Sequence, residues 1–142
     1  MIGIMIDYLV RNEAKMKKTY RIKKENEFQK VFHQGKSTAN RQLVLYVYPK
    51  PEQAHFRVGF SVGKKMGNAV KRNQIKRYLR QAIHELTPAI KMDMDFLVIA
   101  RKDIVDKDFH QIKKSLIHVM SLAGVIDKQA LNNLLQGGTN EN

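Results

Sequence analysis

The stretch Lys64–Arg80 reads KKMGNAVKRNQIKRYLR; it holds Lys64, Lys65, Lys71, Arg72, Lys76, Arg77 and Arg80, and no Asp or Glu. Gly67-Asn68 supplies a turn and an N-cap, which predicts a helix beginning near Ala69. Pro88 is a natural stop, with Thr87 before it biased away from helix. At about 100° per residue, Arg72, Asn73, Lys76, Arg77 and Arg80 fall within one sector of roughly 140°. Ile75, Leu79, Ala82, Ile83 and Leu86 fall in the adjoining sector. One flank of this helix can bury while the other presents a dense cationic face. A charged helix face is ordinarily just solvated. Such faces usually mix both signs, because opposite charges at i,i+4 help a helix and like charges harm it. Arg72, Lys76 and Arg80 stand at i, i+4 and i+8 with the same sign. That arrangement costs stability unless a polyanion binds, and arginine engages phosphate oxygens through two donors at once.

Working outward, the same residues carry a family resemblance. Gly67 to Arg77, followed by Leu79-Arg80, resembles the Arg-Asn-Arg-type signature of the bacterial ribonuclease P protein subunit, with Arg72-Asn73, Lys76-Arg77 and Arg80 matching. Arg21-Ile22-Lys23-Lys24, Glu27 to Phe32, Ala39-Asn40-Arg41, Arg57-Val58-Gly59, Ser61-Val62 and Ile99-Ala100-Arg101 stand where that family has similar residues. The resemblance covers roughly Met16 to Val125.

Composition bounds the rest. The chain has 142 residues, enough for one domain with a core. Its 26 Lys and Arg against 13 Asp and Glu give a formal net charge of +13, which favours nucleic acid first and an anionic membrane second. The absence of Cys excludes a disulfide framework and a thiolate metal site, and it fits a cytoplasmic protein. No apolar run approaches the roughly 20 residues a membrane helix needs. Residues 1–15 lack a basic region ahead of their apolar part and fall outside the resemblance; the expectation is a loose upstream extension. Residues 16–126 form the expected domain, and 127–142 a polar tail in which Leu131, Leu134 and Leu135 can extend a helix, loose from Gly137 onward.

Between these ends, Phe28, Val31 and Phe32 recur at i, i+3 and i+4, predicting a helix over about Glu25–Gln34 closed by Gly35. The two phenylalanines either join the core or face a groove and stack on bases. Ser37–Tyr48 reads as extended, broken near Asn40. His55–Gly63 is the clearest strand, with Phe56, Val58, Phe60 and Val62 on one face and Arg57, Gly59, Ser61 and Gly63 on the other. That second face is either solvated or a floor for a nucleic-acid strand, with Tyr46 beside it. Phe96–Ala100 is apolar on both faces and predicts a buried central strand. Asp108 with Gln111 predicts a capping box ahead of a helix carrying Ile112, Leu116, Val119, Met120 and Ala123. Helix, strands, helix, strand, helix is an α+β sandwich.

No catalytic or metal-ligating set emerges. The histidines His33, His55, His84, His110 and His118 are scattered, and no HExxH spacing occurs. Glu25 with Glu27, Asp93 with Asp95, and the Asp103, Asp106 and Asp108 loop read as structural. The resemblance accounts for this, because in that family the catalyst is an RNA. It implies an αβββαβα order with a four-stranded mixed sheet and a left-handed crossover through the basic helix. It implies a protein cofactor to the ribozyme that removes the 5′ leader of precursor tRNA, with Mg²⁺ acting through the RNA. Lys65, Asn68, Arg72, Asn73, Lys76, Arg77 and Arg80 would touch the catalytic RNA. Phe28, Phe32, Tyr46 and Ser61 would line a cleft for the leader. Partners are then the ribonuclease P RNA and precursor tRNA, with no membrane and no obligate protein partner. The competing readings are a ribosomal-type RNA-binding protein, which shares the charge and fold class, and a free-standing protein nuclease, which needs a carboxylate or histidine cluster that the chain lacks.

Overall fold

The computed structural model describes residues 20–140, and the extension expected at residues 1–15 lies outside them. The chain runs α1 (Glu25–Gln34), β1 (Lys36–Ala39), β2 (Leu43–Pro49), β3 (Arg57–Ser61), α2 (Ala69–Leu86), β4 (Met94–Ala100), α3 (Phe109–Leu122) and α4 (Lys128–Asn140). Short 3₁₀ turns at Lys64–Met66, Thr87–Ala89 and Lys102–Ile104 join them. The four strands form one sheet in the order β1-β2-β4-β3. Antiparallel pairs join β1 to β2 and β2 to β4, while β3 and β4 run parallel, so α2 is the crossover between them.

The break expected near Asn40 is built by that residue. Asn40 Oδ1 accepts from the backbone N–H of Gln42 and Leu43, and its Nδ2 donates to the Ser115 carbonyl and hydroxyl. An asparagine side chain satisfying its own backbone two residues on is a standard turn device. β4 is central and buried, as its two apolar faces require. Its register fixes what each sheet face shows. Leu45, Val98 and Phe60 share a row, as do Val47, Phe96 and Val58. These residues meet α2, α3 and α4 in the main core, with Leu79, Ile83, Ile112 and Leu116 fully buried.

The opposite face carries three other rows: Tyr48–Asp95–Arg57, Tyr46–Leu97–Gly59 and Val44–Ile99–Ser61. Among the described residues, α1 is the one helix that packs there, over a small separate cluster of Ile22, Val31 and Leu97. Gly35 closes α1 as expected, in an extended conformation rather than a left-handed one.

Two expectations need correction. β3 is shorter than His55–Gly63, with Val62 leaving the ladder while still buried. The loose end expected from Gly137 is helical in backbone through Asn140. Leu131 and Leu134, at i and i+3, pack on the main core, and Asp127 Oδ1 accepts from Ala130 N–H to start the turn. That apolar stripe and cap outweigh the polar composition around them. The order is therefore αβββαβα with a fourth helix appended.

Candidate nucleic-acid interface

Helix α2 begins where the sequence predicts. Gly67 sits at φ +132°, a conformation costly to any residue with a Cβ. It turns the chain so that Asn68 can cap, its Oδ1 accepting from Lys71 N–H at 3.0 Å. The helix then buries Ile75, Leu79, Ala82, Ile83 and Leu86, the flank read from the wheel. Lys65, Asn68 and Asn73 are exposed, while Arg72, Lys76, Arg77 and Arg80 are half-buried along the other flank. Arg72 donates from Nε to the Gly67 carbonyl at 3.1 Å, so its guanidinium lies over the start of its own helix. Lys102 reaches the same end, donating from Nζ to the Lys65 carbonyl at 2.8 Å.

Among the described residues, no carboxylate pairs with Lys65, Arg72, Lys76, Arg77 or Arg80; the ion pairs lie elsewhere, as in Lys113–Glu85 and Lys107–Asp106. Burial, with Arg21 and Arg77 nearby, pushes the Arg80 pKa down to about 10. The group stays charged at neutral pH, and the folded chain bears the cost of holding it among like charges.

The second surface lies between α1 and the sheet. A groove of about 440 Å³ runs there. Its helical wall is Glu25, Phe28, Gln29, Phe32 and His33, and its floor includes Ser61, Leu97 and Ile99. Phe28 settles the choice between core and groove by doing both. It lies directly over Gly59, where a Cβ would collide with the ring, and its edge lines the groove. Phe32 is 44% exposed, and its ring meets Tyr46 at 5.1 Å between centroids. Tyr46 thus stands beside the groove behind Phe32 rather than within its lining.

A polar ladder on α1 is a feature that the sequence reading missed. Gln29 Nε2 donates to Glu25 at 2.8 Å, and the Gln29 carbonyl oxygen faces His33 Nε2 at 2.9 Å. The i, i+4, i+8 spacing of Glu25, Gln29 and His33 is the signal that would have found it.

Several titratable groups read as structural have structural partners. Asp95 is 2% exposed and accepts from Arg57 Nη2 at 2.6 Å, from Arg57 Nε at 3.1 Å and from Gln53 Nε2 at 3.1 Å. The Asp95 hydrogen bonds push the Arg57 pKa up, against the effect of burial. Asp108 and Gln111 form the expected capping box. His55 stacks on Tyr20 at 4.1 Å. Among the described residues, no three His, Asp or Glu side chains gather where they could hold a metal ion. No helix among them is long and apolar enough to cross a membrane.

The family model described as Ribonuclease P matches residues 16–124. The ribonuclease P protein component of Listeria innocua is 56% identical over 118 residues, covering 83% of this chain and 98% of that one. Among solved structures, the Staphylococcus aureus RNase P protein is 45% identical with a TM-score of 0.72, covering 76% of this chain and 98% of that one. The RNase P protein of Thermotoga maritima is 27% identical with a TM-score of 0.64, covering 69% and 92%.

Proposed function

This chain belongs to the bacterial ribonuclease P protein family, and from that membership we infer how its two polar surfaces divide the work. It is the protein subunit of a ribonucleoprotein endoribonuclease: it partners the catalytic RNA, and the complex removes the 5′ leader from precursor tRNA. In our reading the cationic flank of α2 takes the catalytic RNA, through Lys65, Asn68, Arg72, Asn73, Lys76, Arg77 and Arg80. The groove beneath α1 takes the single-stranded leader, through Phe28, Phe32, Tyr46 and Ser61.

The observation that carries this reading is the division of the surface itself. One helix flank holds cations without carboxylate partners among the described residues, and a separate aromatic groove has a small polar floor. Cations at a surface suit the regular phosphates of a folded RNA. Exposed aromatic rings suit unpaired bases, each stack contributing about 1–3 kcal/mol with little regard to sequence. A protein that serves many precursor tRNAs needs that tolerance. The cut itself falls to the RNA, with Mg²⁺ acting there. The protein raises substrate affinity and supports the active RNA conformation by neutralising phosphate repulsion.

Reconstitution tests this. At low Mg²⁺, ribonuclease P RNA and 5′-labelled precursor tRNA are compared with and without the protein. The expected outcome is strong stimulation of cleavage at the mature 5′ end, and no cleavage by the protein freed of RNA. Binding to both RNAs without stimulation would instead make it a ribosomal-type binder.

A further inference from the structure

Helix α1 carries the stacking wall of the groove, yet its own anchorage is slight. It buries only Val31, and its N-cap Lys24 makes no side-chain capping bond. The cluster it rests on is separate from the main core. Two polar ties supplement it: Lys30 Nζ stands over the Tyr48 ring of β2 at 5.6 Å, and a hydrogen-bonded ion pair joins α1 to β3. Arg57 on β3 donates from Nη1 to Glu27 Oε2 at 3.1 Å, while its Nε and Nη2 hold Asp95 of β4. Asp95 is buried and fixed, and Arg57 and Asp95 are register partners across the parallel ladder. The guanidinium is thus clamped to the sheet, and its remaining arm grips α1 at Glu27, beside Phe28. A planar fork held by a buried carboxylate is a rigid reference point.

We propose that Arg57, acting through Glu27, is a positioning residue for the leader: it holds α1 at the distance from the sheet that lets Phe28 and Phe32 stack, although neither Arg57 nor Glu27 lines the groove. The proposal rests on the reading that the leader occupies that groove. It explains why a protein that binds polyanions keeps a carboxylate here. Glu27 acts on the position of α1 rather than on the RNA.

The sign of one substitution tests it. Glu27→Gln removes a negative charge near a polyanion site, so electrostatics alone predicts equal or tighter leader binding. Positioning predicts the opposite. Arg57 and its bonds to buried Asp95 stay in place, so the sheet is undisturbed. In the reconstituted holoenzyme, the readout is the affinity gain of precursor over mature tRNA, measured for the native protein, Glu27→Gln and Phe32→Ala. Glu27→Gln should reduce that gain about two- to fivefold, as for a part-buried ion pair. Affinity for mature tRNA and for the catalytic RNA should hold, and faster amide exchange should be confined to residues 25–34. If Phe32→Ala reduces the gain while Glu27→Gln leaves or raises it, positioning is refuted and the groove stands. If neither variant changes the gain, the leader does not lie in the groove and both ideas fall.

Discussion

Arg80 carries its charge where the folded chain alone gains nothing from it. Its neighbours Arg21 and Arg77 repel it, and burial removes water that would screen them. A base whose folded pKa lies below its unfolded one contributes an unfavourable term at all pH values below the folded pKa, here about 10, and that term fades only as pH rises through it. At neutral pH the cost is fully present. Arg80→Met keeps the aliphatic stem that packs on the helix flank and removes the charge. It should therefore raise the Tm of the free protein in a thermal melt while weakening its binding to the catalytic RNA. A lowered Tm would mean that Arg80 has a stabilising partner in the free chain. Asp95 is the reverse case. Its charge is buried but answered by Arg57 and Gln53, so it serves the fold.

At the scale of elements, α2 and α1 differ in what holds them. α2 has a cap, a positive-φ glycine ahead of it and five buried side chains. It can tolerate like charges at i,i+4, which cost about 0.2–0.5 kcal/mol per pair. Its cationic flank was legible because helical period and charge are both local. Removing one cation from a phosphate should lower the slope of log affinity against log salt by about one. Arg72→Ala should do so in binding to the catalytic RNA, without loss of helix content by circular dichroism. An unchanged slope would place Arg72 off the phosphates. α1 was equally legible as a helix, since Phe28, Val31 and Phe32 mark its inner side. The division of labour among them was not. Val31 is buried, Phe28 leans on Gly59 and Phe32 stays half in solvent. What separates these roles is the contour of the sheet beneath.

At the scale of the molecule, the described residues cover one face of the sheet heavily and the other lightly. Three helices share the main core, while α1 rests on a cluster of Ile22, Val31 and Leu97. Local opening requires only the loss of local burial. Native-state amide exchange should therefore find α1 opening at lower free energy than β4 and α2, with the groove beneath α1 dissolving before the fold does. Exchange of α1 together with β4 as one unit would show the two faces to be a single cooperative body.

Features that depend on neighbours along the chain are readable from the residues alone. These include the caps at Asn68 and Asp108, the amphipathic flanks of α2, the apolar run of β4, the turn at Asn40 and the net charge. The α+β class follows from those. How distant residues combine is set only when the chain folds. Parallel pairing sets Arg57 against Asp95, 38 residues apart. The Gly59 backbone makes room for Phe28, and the Phe32–Tyr46 contact joins a helix to a strand. The polar composition past Asp127 left α4 as an option carried by Leu131, Leu134 and Leu135; Leu131 and Leu134, placed against an existing core, outweigh the solubility of what lies between them. Periodicity and capping are properties of consecutive residues, whereas a groove is the distance between two surfaces, and that distance exists only once the sheet has formed.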